Sequence, residues 1–367
     1  MDIKFIQIFT SLNLVTIVVI ISEWTDSEKE KQGILDLTKK TYGKNVEISN
    51  SLYFDWQYRN NPKGKAIVLL AIDDLNHDLI VGTNTIIPTS LLIDQNEIIS
   101  SLACNVQVDP NYQKRGIFSK LLSSMTSVAK MKGISSLFAI PNENSFPAFI
   151  NEGSSEIIQL PLLVRPIKLS RYFTSPMDKI LKIFDNHWKV KTSPLSVEEF
   201  NGNFQKFEKL LKKTSKRVSI IQNRNKEYLK WRYLDHPTRK YQIYTLNQNE
   251  ALVGYIIVKT HILNNKKIGI ILDYMVDHDT DEKNLKKLIE KALEYFWNND
   301  ASIAIVTSRS GLLEHKLLKQ KGFFQIPSIL KPEPLHFIIR IFDSEQKLKK
   351  LKKFDNWFFS FGDYDVF

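Results

Sequence analysis

A single cysteine, Cys104, among 367 residues excludes an intrachain disulfide and any cysteine-rich zinc site. That usage fits a reducing compartment, and a cytoplasmic location is expected. Glycine and proline number only 13 each, which excludes a collagen-like or low-complexity chain. A clean apolar run is also lacking. Residues 3–21 are broken by Lys4, Gln7, Thr10, Ser11, Asn13 and Thr16, Asp2 offsets Lys4 where a leader would be basic, and no small-residue cleavage site follows. Residues 16–22 read instead as a β-branched first strand behind a short extension, with a helix from about Ser27 to Tyr42; a membrane anchor is the competing reading. Acidic residues are in deficit, 40 against 51 basic, for a net charge of +11. Such a surface favours anionic partners. Much of the excess sits in residues 206–217 and 347–353. In the first, Phe204, Phe207, Leu210 and Leu211 recur at helical spacing, so both are expected to be solvated faces of packed helices, with nucleic-acid binding as the alternative.

What is present is an ordinary globular composition, 43% hydrophobic and 25% charged, at a length that calls for two domains. An internal repeat supports that count. Tyr53, Trp56, Tyr58 and Pro62 recur in register as Tyr228, Trp231, Tyr233 and Pro237, and Ile80-Val81-Gly82 recurs as Leu252-Val253-Gly254. In the first half, residues 66–72, 79–86 and 97–108 read as strands, followed by a helix with apolar Phe118, Leu121, Leu122, Met125, Val128 and Ala129. A strand over 134–140, a short helix over 146–152 and strands near 156–159 and 162–168 complete it. The second half repeats the order: a helix over 200–211, strands over 241–246, 251–260 and 267–276, a long helix through Leu285 and Phe296, a strand over 302–307, a helix over 312–321 and a last strand over 336–342. The expected limits are an extension 1–15, a first domain 16–169, a linker 170–195, a second domain 196–342 and a tail 343–367. Each half is α/β, a mixed, mostly antiparallel sheet flanked by helices.

The informative stretch is Val106-Gln107-Val108-Asp109-Pro110-Asn111-Tyr112-Gln113-Lys114-Arg115-Gly116-Ile117-Phe118-Ser119. A strand ends at a proline turn and leads into a helix. Gly116 lets backbone approach a ligand, the helix start offers free amides and a partial positive charge, and Lys114 and Arg115 add to the field. An ordinary turn is the bland alternative. Gln113-x-x-Gly116-x-Phe118 resembles the (Gln/Arg)-x-x-Gly-x-(Gly/Ala) motif of the GNAT N-acetyltransferase superfamily, with Phe118 departing from the small last residue. The resemblance, which spans about 16–168, implies that this loop holds the pyrophosphate of acetyl-CoA as co-substrate. Backbone contacts are implied at Val106 and Val108, and loop contacts at Gln113, Lys114, Arg115, Gly116, Ile117, Phe118 and Ser119. A second block, Asn142 through Gly153, resembles the family's following segment. It implies cofactor contacts from Asn142 and Ser145 and puts Phe149 where many members carry a proton-donating tyrosine.

No general base is evident. Glu97 and Asp109 flank the strand, and Cys104 lies within it, on the face of Val106 and Val108 by period two; these three are the catalytic candidates, with core packing the plain reading of Cys104. Trp56, Tyr58 and Arg59 are candidates for the acceptor pocket, although the repeat of their motif also fits a structural role. The C-terminal Trp357 through Phe367 carries Asp363 and Asp365 among aromatics, which suits either a sugar-binding cluster or a docked tail. In the second half Val276-Asp277-His278 matches Val108-Asp109-Pro110, but Asp279, Asp281 and Glu282 stand where the loop should recur, so one cofactor site per chain is expected, with no metal. The resulting expectation is an acyl-CoA-dependent N-acetyltransferase acting on a small-molecule amine or amino sugar by direct attack. Neither nucleic acid nor membrane is the expected partner. The alternatives are an aminoacyl-tRNA-dependent transferase of the peptidoglycan-bridge kind and a non-catalytic acyl-CoA-binding module.

Overall fold

The computed structural model describes residues 19–173, 176–190, 196–327, 333–343 and 346–364. The expected extension 1–15 and most of the 3–21 stretch lie outside the described residues. The chain divides into two compact units. The first comprises residues 1–90, 99–156 and 338–345; the second comprises 91–98, 157–337 and 346–367.

In chain order the first stretch supplies β1 (Val19–Glu23), α1 (Glu28–Tyr42), α2 (Ser51–Phe54) running into a π-helical turn (Asp55–Arg59), β2 (Ile67–Asp73), β3 (Ile80–Ile93), β4 (Asn96–Val108), α3 (Ile117–Met131), β5 (Ser136–Ala139), α4 (Phe146–Asn151), β6 (Ser155–Gln159) and β7 (Leu162–Pro166). There follow α5 (Met177–Asp185), β8 (Val197–Glu199), α6 (Gln205–Thr214), β9 (Ile220–Gln222), α7 (Lys226–Tyr233), β10 (Gln242–Gln248), β11 (Ala251–Leu263), β12 (Lys266–Val276) and α8 (Glu282–Asn298). The chain finishes with β13 (Ile303–Thr307), α9 (Leu313–Gln320), β14 (Phe324–Gln325), β15 (His336–Ile341) and β16 (Trp357–Phe358).

The sheet of the first unit runs β1-β2-β3-β4-β5-β15-β6, and that of the second runs β14-β7-β13-β12-β11-β10-β8. Two strands have changed places relative to the expected limits. Leu162–Pro166, read from the sequence as the end of the first domain, pairs antiparallel with Ile303–Thr307. In return Ile338–Ile341 of β15 pairs with Ser136–Ala139. The tip of the β3–β4 hairpin, Leu91–Ile98, is counted in the second unit, where Leu91–Ile93 pair with β9. The boundaries at 169 and 196 therefore do not describe either unit. Periodicity shows which residues form a strand, but not which sheet receives it.

Within each unit the same core recurs. Three antiparallel strands lead into a helix and a parallel strand: β4 pairs with β5 through Ser100–Leu102, and β12 pairs with β13 through Ile268–Ile270. The helix packs on the sheet over a glycine. A Cβ on Gly82 would stand 3.1 Å from Leu121 and 3.3 Å from the Gln107 carbonyl oxygen; one on Gly254 would stand 2.7 Å from Leu288 and 3.2 Å from the Met275 carbonyl oxygen. Only glycine allows helix and sheet to approach this closely. The ring pair Tyr53–Trp56 is 5.3 Å apart at 48°, and Tyr228–Trp231 is 5.9 Å apart at 49°. Of the two basic stretches, the first forms α6, whose Phe207, Leu210 and Leu211 are buried beneath solvated lysines, and Leu348 and Leu351 bury the second.

Candidate functional site

The loop between β4 and α3 is organised around Asp109. Its buried carboxylate caps the turn by accepting from Asn111 N at 2.9 Å, and it accepts from Lys40 Nζ of α1 at 2.6 Å. Its own amide donates to Val81 O at 2.8 Å. One carboxylate oxygen thus caps the loop and the other ties it to α1, while the backbone amide ties it to β3, so both oxygens of Asp109 are engaged in holding the loop. After the turn, Lys114 has φ +61° and Gly116 has φ +73°, two left-handed residues that swing the chain into α3. Gly116 is the N-cap. It has no side chain to accept a hydrogen bond, and a Cβ added to it would meet nothing within 4 Å. The first amides of α3 are thereby left for an external acceptor.

Gln113, Lys114, Arg115, Gly116 and Ser119 are exposed around this helix start, and Ile117 is buried beneath it. The Gln113 amide donates to Val108 O at 3.3 Å, turning the side chain back on the strand. Arg115 lies over the Tyr112 ring at 5.3 Å, and Tyr112 Oη donates to Asp73 at 2.5 Å. That hydrogen bond holds the Asp73 carboxyl below the usual range and pushes the Tyr112 phenol up. The loop thus brings together exposed cations, a helix start with no side-chain cap and open space before it.

Beside the loop, β4 separates from β5. The parallel pairing ends at Leu102↔Phe138, which leaves the 103–108 edge of β4 facing away from β3 as a place where an extended chain can be laid. In the middle of this edge Asn105 has φ +51°. The left-handed residue breaks the alternation of the strand. Ala103, Val106 and Val108 belong to the α3-side cluster, while Cys104 packs with Trp24, Phe54 and Tyr58. The expectation that Cys104 shares a face with Val106 and Val108 is corrected accordingly: period two does not survive a bulge. Asn105 Nδ2 donates to Gln57 Oε1 at 2.8 Å and to Tyr58 Oη at 3.2 Å, and Tyr58 Oη is 3.1 Å from Thr85 Oγ1. Gln107 donates to Thr38 at 2.8 Å on the same side. Burial, with Cys104 beside it, pushes the Tyr58 phenol far above its ordinary value, so its proton stays on Oη. The sequence reading missed this polar network. Its signal is Asn105 itself, an amide in an otherwise apolar strand and one of the few residue types that tolerate the left-handed region.

The remaining candidates fall elsewhere. Glu97 is exposed in the hairpin tip, at the far end of β4 from the loop. Asn142 and Ser145 close on each other: Asn142 Oδ1 accepts from Ser145 N at 3.0 Å and Ser145 Oγ at 2.9 Å, and its carbonyl accepts from Phe146 N at 2.9 Å. They open α4. Phe149 is buried, and its ring meets Phe118 edge to face at 6.4 Å. The two departures from the family pattern are one contact, a phenylalanine at the small position packed against a phenylalanine at the tyrosine position. Trp56 is buried on Tyr53 and Tyr58 is stacked on Phe54 at 4.1 Å. Arg59 is tied to Asp26 at 2.6 Å, Glu28 at 2.7 Å and Asp55 at 2.8 Å. Of these three, only Tyr58 joins the site, through Asn105.

The second unit keeps the framework and closes the loop. Lys213 Nζ bonds Asp277 at 2.5 Å, and Asp277 N donates to Val253 O at 2.7 Å, as Lys40, Asp109 and Val81 do. But α8 is capped by Asp281, whose carboxylate accepts from Lys283 N at 2.9 Å. A side chain of the protein fills the position of an anion. Among the described residues no cluster of three or more histidine, cysteine or acidic side chains is placed to hold a metal ion, and no helix is long and apolar enough to cross a membrane.

Residues 25–147 match the family model of the acetyltransferase (GNAT) domain. No match is found among functionally curated proteins. Among solved structures, a GCN5-related N-acetyltransferase of Anabaena variabilis superposes with a TM-score of 0.62 at 12% identity, covering 88% of this chain and 73% of its own. N-myristoyltransferase of Saccharomyces cerevisiae with bound myristoyl-CoA gives 0.59 at 16%, covering 90% and 84%. A probable N-acyltransferase of Enterococcus faecalis gives 0.63 at 11%, covering 91% and 74%. The chain thus shares the fold of these solved transferases across both units, and within it residues 25–147 are similar to the acetyltransferase (GNAT) domain.

Proposed function

We propose that the protein is an acyl-CoA-dependent N-acyltransferase with one cofactor site per chain, the 113–119 loop, and that it moves an acetyl group to the amine of a small molecule or amino sugar. The observation that carries the reading is the contrast between the two helix starts. Gly116 leaves α3 open among Lys114 and Arg115, while Asp281 closes α8. Acyl-CoA supplies an activated thioester carbonyl. The chain's own part is to bind and orient: the α3 amides and the two cations take the pyrophosphate, and the 103–108 edge offers backbone groups to the pantetheine arm. Asn105, fixed by Gln57 and Tyr58, sets the bend of that edge, and Tyr58 keeps its proton.

A second reading, acyl-CoA binding without turnover, is favoured by one observation. Phe149 cannot donate a proton to a leaving thiolate, and its ring is committed to Phe118. Titration calorimetry with CoA, followed by turnover assays with acetyl-CoA over a panel of amines and amino sugars, separates the two. The proposal expects one site and release of CoA on acceptor addition. Two equivalent sites would reject the single-site assignment, and binding without turnover would establish the second reading.

A further inference from the structure

We propose that α5 and the residues leading into it dock the second unit on an anionic lipid surface. The helix turns its two carboxylates to its least exposed side. Asp178, Leu181 and Asp185 form its least exposed stripe, and Asp185 is buried, accepting from Ser170 N at 3.1 Å and Ser170 Oγ at 2.5 Å. Both carboxylates of the helix are thus on the inward side. The outward side carries Met177, Ile180 and Ile183, the last two 57% and 78% exposed, with Tyr172 and Phe173 exposed just before them. Lys179 and Lys182 are exposed as well, Lys179 beside the apolar stripe and Lys182 on the flank next to Asp178.

A helix folded for water alone would turn Ile180 and Ile183 inward. Among the described side chains of the helix, the exposed ones are apolar or cationic, the composition of a helix that lies in a membrane interface, apolar side chains among the acyl tails and lysines at the headgroups. The charge selects the partner. The exposed lysines of this helix, Lys179 beside the apolar stripe and Lys182 on its flank, in a chain of net charge +11, are complementary to anionic headgroups. A second copy docked through the same face by a two-fold axis would set lysine against lysine. The sequence alone reads this segment as a linker, because nine residues of helix do not reveal which side is packed.

The test is sedimentation of the full chain with vesicles of phosphatidylcholine alone and of phosphatidylcholine with phosphatidylglycerol in equal parts. The wild type is expected to sediment with the anionic vesicles only, and less as salt is raised. The double variant Ile180→Asp, Ile183→Asp and the double variant Lys179→Glu, Lys182→Glu are each expected to weaken partition roughly tenfold or more, with unchanged melting temperature since all four side chains are exposed. Wild-type protein that stays in the supernatant overturns the proposal, as does vesicle binding that both variants retain. Self-association abolished by Ile183→Asp, without vesicle binding, would give the face to a second copy instead.

Discussion

At the scale of single residues, Gly116 is where the site is most exposed to test. It must reach φ +73°, and it must leave the space before α3 empty. Gly116→Glu places a carboxylate where the ligand phosphate would lie. Repulsion there is on the order of 1–4 kcal/mol at intermediate dielectric, so CoA affinity is expected to fall roughly tenfold or more. Stability should lose less than that, because a carboxylate at a helix start offsets part of the backbone strain. Calorimetric titration beside thermal melts checks both. Undiminished affinity in a folded variant would remove the loop from the cofactor site. Phe118 and Phe149 show the limit of motif reading at this scale. Taken singly each looks like a lost functional group, and only their ring contact shows that one substitution fits the other.

At the scale of elements, the comparison of α3 with α8 turns on one cap. Asp281→Ala removes the acceptor for Lys283 N and is expected to cost about 1 kcal/mol of stability, read as a lower midpoint in denaturant, with CoA binding unchanged. A gain of a second CoA site in that variant would show that the cap alone silences the second unit. The C-terminal segment is the other element with a measurable role. Trp357, Phe358, Phe359 and Phe361 are buried, and Asp363 lies beside Arg224, which also pairs with Asp273 at 2.9 Å and donates to Ser360 at 3.0 Å. The described part of the tail is docked and its Asp363 carboxylate is committed to Arg224, while Asp365 lies outside the described residues. Burial pushes the Asp363 carboxyl up to about 6, against the pull of Arg224 and with the push of Asp273. A raised carboxyl means that the folded chain holds a proton the unfolded chain has released. Stability from this group is therefore greatest below about pH 4 and declines as pH rises towards 6. The melting temperature of the wild type, corrected for other groups by the Asp363→Asn variant, should fall across that window by an amount worth on the order of 2 kcal/mol. A difference that is flat from pH 4 to 7 would show that the carboxyl is not raised.

At the scale of the whole molecule, most elements were legible and their partnership was not. The helix faces of α3 and α8 follow from periodicity, and the strands β2, β4, β11 and β12 from their β-branched and apolar runs to within about three residues, because these signals are local in sequence. The left-handed turn at Asn105, the exposed Ile180 and Ile183 of α5 beside its buried Asp185, and the exchange of β7 and β15 depend on contacts made far along the chain, and local pattern carries no record of them. The exchange has a physical consequence. In the first sheet β15 lies between β5 and β6, and its Ile338 is fully buried in the cluster that also holds Leu121 and Leu137. In the second, β7 lies between β14 and β13. A fragment of residues 1–169 contains every motif of the candidate site but lacks β15, so β6 loses its neighbour and β5 is left with an open edge over a core missing its last layer. That fragment is expected to lack a cooperative thermal transition and to bind CoA weakly or not at all. Joining residues 333–345 to it through a flexible linker should restore the transition, because the strand is supplied intramolecularly at high effective concentration. Circular dichroism melts of the two fragments decide the matter. A sharp transition in residues 1–169 alone would show that β15 is dispensable to the first unit, and failure of the joined strand to restore one would show that the unit also needs the second for its folding.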